Sequence, residues 1–120
     1  MSTYLKFLSL AHAIDSSHAQ ISKLDETAKK LLQIIAVRHA QGNAMTVTNV
    51  MALSAIASQA TIHRKLDDLR EGGLIEQIFE GKNRRTKYLV PTKAADKYFA
   101  ELGGVIMQLL VTVWLRWCIN

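Results

Sequence analysis

Cysteine and proline are almost missing from this chain. Its 120 residues hold one of each, Cys118 and Pro91. A lone cysteine excludes an intrachain disulfide and a zinc site built from cysteines, and it fits a reducing cytoplasm best. Glycine is also scarce, at six residues: Gly42, the pair Gly72-Gly73, Gly81 and the pair Gly103-Gly104. Long stretches therefore run without a breaker, which favours helices. The chain has no glycine-rich phosphate loop, no His-x-x-x-His pair and no nucleophile motif. His39 and His63 stand singly, without an evident partner. No catalytic residue, metal ligand or cofactor is expected, and the chain does not read as an enzyme. The opening MSTYLKFLSLAHA superficially resembles a secretory leader. Its apolar run Phe7–Ala11 is interrupted by Ser9 and is shorter than the roughly 7–15 residues such a leader needs. There is no internal repeat and no low-complexity tract.

What remains suffices for one domain with a modest core, covering residues 1–120. The hydrophobic share is 49% and the charged share 21%, the balance of a folding chain. Net charge is +5 and the pI is near 9.6, a moderate excess that favours a polyanionic partner.

Periodicity divides the chain into an N-terminal helical part (3–41), a central unit (45–91) and C-terminal helices (92–119). Over residues 3–21, Tyr4, Phe7, Leu8, Ala11 and Ile14 form one helical stripe. His12 and His18 diverge around that helix and read as exposed polar residues. Asp25 is the expected N-cap of the next helix, with Glu26 suited to its positive end. Ala28, Leu31, Leu32, Ile35 and Ala36 follow at core spacing, and Ile34 and Val37 widen the stripe. Gly42 ends that helix in the left-handed conformation.

The central unit starts with Thr46 as cap of a helix from Val47 to Leu53, with Val50 inward. Residues 54–57 turn the chain, with Ile56 as an apolar plug. Ser58 then caps a second helix over about 58–71. Ile62, Leu66 and Leu69 fall at i, i+4 and i+7 and face the core. Gln59, Ala60, His63, Arg64 and Asp67 fall on the other side. Asp67 and Asp68 are expected to turn backward or to pair with Arg64 and Arg70. After Gly72-Gly73 comes a β-rich stretch, Leu74 to Phe79, then the turn signal Gly81-Lys82-Asn83. A return strand, Arg85 to Val90, sets Tyr88 and Val90 on one face, and Pro91 stops it. Lys82, Arg84, Arg85 and Lys87 place four of the chain's fifteen basic residues within six positions. Thr92 caps a helix over 93–102, with Tyr98, Phe99 and Leu102 inward, and Gly103-Gly104 is expected to break or kink it.

This order, helix, short turn, helix, apolar strand, basic turn, strand, suits duplex DNA. A helix fits the major groove and offers its N-terminal residues to base edges. Here those are Gln59, Thr61, His63 and Arg64, as base readers. Glutamine can pair with adenine and arginine with guanine through two hydrogen bonds. Ser58, Lys65, Lys82, Arg84, Arg85 and Lys87 are the expected phosphate contacts. The wing, 80–88, would lie along the backbone or send an arginine into the minor groove.

Residues 45–104 resemble a bacterial winged helix-turn-helix of the MarR type. The resemblance rests on SQATIHRKLDDLREGGLI from Ser58 to Ile75, on Asn83-Arg84-Arg85, and on Val90-Pro91-Thr92 leading into the next helix. It covers about half the chain; residues 3–41 match by pattern alone. It implies a mainly α fold with a small β-hairpin wing, and flanking terminal helices that build a homodimer. It also implies a transcriptional regulator of double-stranded DNA. A small-molecule effector between the dimer helices and the DNA-binding part is a further implication, which no residue here identifies. Asn83 stands where an aspartate commonly braces the wing arginine, so a weaker hydrogen bond replaces an ion pair there.

The tail from Val105 to Ile119 is apolar at almost every position, Trp114 and Trp117 included. Beyond a break at the glycine pair, fifteen helical residues reach only about 22 Å, short of the roughly 30 Å hydrocarbon core. Gln108 and Arg116 also weigh against a span, so a membrane partner is not expected. Burial against residues 3–21 of the same or a partner chain is the expected fate. A two-fold dimer would set two recognition helices roughly 34 Å apart on a near-palindromic site. The rival reading is a protein-interaction module that uses the same apolar terminal helices.

Overall fold

The computed structural model describes residues 1–82 and 84–119. Asn83, and with it the expected replacement for the wing brace, lies outside them. The order is α1 (Thr3–Ser17), α2 (Ala19–Ser22), α3 (Glu26–Ala40), α4 (Val47–Met51), α5 (Gln59–Glu71), β1 (Ile75–Phe79), β2 (Lys87–Pro91) and α6 (Lys93–Ile119).

The core forms where the helical stripes of α3 and α5 meet the back of the hairpin. Leu31, Leu32 and Ile35 of α3 pack with Ile62, Leu66 and Leu69 of α5, and Val50 of α4 closes one end. Every helix but the short α2 starts where a side chain can satisfy one of the first free N–H groups. Asp25 Oδ1 accepts from the Ala28 amide at 2.8 Å. Thr46 and Asn49 form a reciprocal capping box on α4. That helix is shorter than expected and stops at Met51. Gly42 and Gly73 take positive φ, 79° and 72°, at the ends of α3 and α5, which glycine allows without a side-chain clash.

The hairpin is antiparallel, from Ile75 opposite Pro91 to Phe79 opposite Lys87. Pro91 closes the second strand from within. Leu89, between the two residues expected to share a face, is the side chain most deeply buried on that strand. Its amide donates to Met45 O at 2.8 Å, an isolated bridge that ties the start of α4 to the wing.

The terminal helices depart from expectation in three ways. The helix over 3–21 is broken at His18, whose backbone is extended (φ −104°, ψ 108°). That break turns His18 inward, where Nε2 pairs with Glu101 Oε2 of α6 and the ring meets Tyr98 edge-on at 5.6 Å. His12 stays exposed, but His18 is half-buried. Next to it Tyr98 Oη donates to Asp15 Oδ1 at 2.6 Å, and Lys29 Nζ lies 3.2 Å from Asp15 Oδ2. Burial first, and then Asp15, push the Tyr98 hydroxyl well above its ordinary value. It therefore keeps its proton and donates.

Second, Val37 is exposed rather than part of the α3 stripe, because the packed arc already closes over Leu31, Leu32 and Ile35. Third, Gly103-Gly104 neither breaks nor kinks α6. Neither glycine has positive φ, and the helix runs 27 residues through them. Glycine in a helix interior costs only about 0.5–1 kcal/mol relative to alanine, and good helix formers such as Ala100, Glu101 and Leu102 before the pair and Met107, Gln108, Leu109 and Leu110 after it outweigh that. The length argument against a membrane span falls with the break. Lys93–Cys118 is long and apolar enough to cross a bilayer by length and composition. Its first turns are nevertheless committed to the protein core through Ala95 and Tyr98.

Candidate nucleic-acid interface

Helix α5 is fixed from behind and capped from in front. Ile62, Leu66 and Leu69 clamp one side of α5 to the core. At its start Ser58 Oγ accepts from the Thr61 amide at 3.3 Å and donates to Thr61 Oγ1 at 3.0 Å. Thr61 is half-buried, while Gln59, Ala60, His63 and Arg64 are exposed on the outer face. His63 Nδ1 lies 3.4 Å from Asp67 Oδ2. Asp67 also approaches Arg70 at 3.9 Å, so one of the two aspartates neutralises charge along the helix as expected, toward His63 and Arg70 rather than Arg64.

Lys65 stands apart from the other expected contacts. Its side chain is only 18% exposed, and Nζ lies 2.6 Å from Asp25 Oδ2 at the start of α3. That hydrogen bond, followed by the Ala28 amide, holds the Asp25 carboxyl below its ordinary 3.8. Lys65 thus fastens α5 to α3 and points away from the outer face.

Lys82, Arg84, Arg85 and Lys87 are all exposed on the wing. Gly81 supplies the positive φ, 57°, that starts its turn. Phe79 contacts two of these cations: the Arg84 guanidinium carbon lies 5.7 Å from the ring centroid and Lys87 Nζ 5.8 Å. Between the wing and the start of α4 runs a groove of about 410 Å³, lined by Thr46, Thr48, Phe79, Arg84, Arg85 and Lys87 among others. The backbone bridge from Met45 to Leu89 holds its two walls together.

The structure therefore brings Gln59, His63 and Arg64 onto one exposed face, with the four wing cations on the neighbouring hairpin. Thr46, Thr48 and Phe79 did not figure as site residues in the sequence. Thr46 reads there as a cap only. The signal for Phe79 is its place as an aromatic residue beside a basic run. Among the described residues, no cluster of three or more His, Cys, Asp or Glu side chains could hold a metal.

A capped helix pair, a two-stranded wing behind it and a helix at each end define the winged helix-turn-helix fold of MarR type. The chain is similar to the crystal structure of a MarR-like transcriptional regulator of Thermotoga maritima. The TM-score is 0.63 at 19% identity, covering 92% of this chain and 77% of that one. It is also similar to MepR of Staphylococcus aureus, described as a transcription regulator of the multidrug efflux pump MepA. There the TM-score is 0.54 at 15% identity, covering 97% and 84%. A MepR mutant bound to an oligodeoxyribonucleotide matches with TM-score 0.55 at 14% identity, covering 94% and 82%. At these identities the likeness is one of fold. No family model matches the sequence, and no curated protein does.

Proposed function

We propose that this protein is a dimeric transcriptional regulator that binds duplex DNA sequence-specifically. The observation that carries the reading is the exposure of both α5 and the wing. The N-terminal part of α5 exposes Gln59, His63 and Arg64, and the hairpin that follows it exposes four cations. In this reading α5 enters the major groove, where Gln59, Thr61, His63 and Arg64 read base edges. Ser58, Lys82, Arg84, Arg85 and Lys87 hold phosphates or enter the minor groove. Lys65 is reassigned from phosphate contact to fastening α5 through Asp25. The oligodeoxyribonucleotide complex of the similarly folded MepR mutant supports the same use of the fold.

The homodimer rests on the terminal helices. Tyr4, Leu5 and Leu8 of α1, and Leu110, Trp114 and Trp117 of α6, are exposed; Trp117 is 81% exposed. A second copy is the partner that covers this surface; against a bilayer weigh the commitment of Ala95 and Tyr98 of the same helix to the protein core and the polar Gln108 and Arg116 along it. One concavity that suits a small effector is a polar cleft of about 540 Å³ lined by Gln20, Asp25, Lys65 and Glu71 among others. A single, exposed cysteine suits the cytoplasm.

The test is a fluorescence-anisotropy titration of the protein against mixed duplex fragments at two salt concentrations. Micromolar or tighter binding that weakens steeply with salt is expected. No binding at low salt by a folded dimer overturns the reading and favours the protein-interaction module, for which the apolar surface of α6 speaks.

A further inference from the structure

We propose that Phe79 is the positioning residue of the wing. Its ring holds Arg84 and Lys87 at the lining of one groove and, with the Thr46 and Thr48 hydroxyls, makes that groove a seat for one backbone phosphate of duplex DNA. The inference rests on the DNA-binding reading and names the part of the site that grips the backbone.

Strand register places Phe79 directly opposite Lys87. Arg84 reaches the same ring from the turn, so two cations sit at 5.7 and 5.8 Å from one centroid. Both distances lie within the roughly 6 Å over which an aromatic quadrupole attracts a cation. The ring is therefore one group that attracts both cations. Among the described residues neither cation makes an ion pair, and no carboxylate lines the groove.

The absence of a carboxylate decides what kind of brace this is. An acidic partner would orient an arginine and cancel its charge together. An aromatic ring orients the cation and leaves its full charge for a phosphate. The opposite wall completes the seat. Thr46 Oγ1 accepts from the Asn49 amide at 3.1 Å, which leaves its hydroxyl proton for an anionic oxygen, and Thr48 is exposed beside it. Phe79 is itself at the surface, 37% exposed, so its ring is replaceable without opening the core.

The test compares Phe79→Leu, Phe79→Tyr and the pair Arg84→Ala with Lys87→Ala, titrated by anisotropy against a labelled mixed-sequence duplex at low and moderate salt. Phe79→Leu is expected to weaken binding roughly fivefold, and Phe79→Tyr to restore it. In the Arg84→Ala, Lys87→Ala background, Phe79→Leu should have no further effect, because nothing remains to be positioned. A leucine variant that binds like the wild type overturns the brace, as does one that loses the same amount in the double-alanine background. If the double-alanine protein itself binds DNA undiminished, the wing reading fails rather than the brace alone. Should Phe79→Leu not fold, the unaltered protein still decides. Its Arg84 side-chain proton resonances are expected upfield, shifted by the ring current of Phe79, and ordinary positions overturn the proposal.

Discussion

The helices α3 and α1 are both fifteen residues long and both carry apolar side chains at helical spacing, yet they end in opposite states. Leu31, Leu32 and Ile35 of α3 are sealed under α5 and the hairpin. α1 has no buried residue at all: it touches α6 along one side and leaves Tyr4, Leu5 and Leu8 open. The far half of α6 is more extreme, apolar nearly all round and exposed nearly all round. A helix that is apolar on every side is made to be surrounded. The winged core is finished within one chain, and the terminal pair is not.

Four changes measure that difference on one scale, the free energy of unfolding. Leu69→Ala removes a fully buried side chain from the finished half, and an equilibrium denaturation curve should show a loss of about 2–5 kcal/mol. A loss under about 1 kcal/mol would mean that the core collapses around the gap and is less fixed than its burial implies. Tyr98→Phe strikes the contact between α1 and α6 by removing the hydrogen bond to Asp15. About 1.5 kcal/mol is expected, with the secondary structure unchanged by circular dichroism. No measurable loss would mean that this bond does not hold α1 against α6.

Asp25 gives a smaller effect with a definite sign. Its carboxyl is held below 3.8 in the folded chain by Lys65 and the Ala28 amide. The stability it adds is complete above that ordinary value and disappears as pH falls through the lowered folded value. Asp25→Asn keeps a capping oxygen and removes the charge. The variant's stability should fall less steeply than the wild type's below about pH 4; identical acid limbs would refute the role of the Lys65 contact. The smallest effect on unfolding belongs to Leu110→Glu with Trp114→Glu, within about 0.5 kcal/mol for the isolated protomer. Sedimentation should nevertheless show the dimer lost. A collapse of protomer stability instead would place the end of α6 in its own chain's core.

The sequence made the winged core legible because several local signals agree there. On α5 a serine cap, apolar residues at i, i+4 and i+7, and a Gly-Gly end all point to the same thirteen residues. The exposure of Gln59, His63 and Arg64 followed from that phase alone. Failures cluster where a long-range partner overrides local preference. His18 breaks the first helix and meets Glu101, 83 residues away. Lys65 looks like one more outward cation until Asp25 of another helix comes within reach. Gly103-Gly104 was misleading for the opposite reason: a local breaker is cheap against 27 residues of continuous helix.

That unbroken helix begins at a fixed point. Thr92 Oγ1 donates to Gly73 O at 2.7 Å and the Thr92 amide donates to Leu74 O at 3.1 Å, so α6 starts pinned to the carboxyl end of α5. From that pin it extends about 40 Å. Treated as a stiff rod, a rotation of about 5° at the pin sweeps its far end through about 3.5 Å, close to the width of a methyl group. The relation also runs in reverse. A sideways shift of the tryptophan end by that much corresponds to a rotation of the same few degrees at the pin beside the carboxyl end of α5. With no hinge at the glycine pair to absorb the motion, the tail of the chain is a lever whose short arm ends at the helix that would meet DNA.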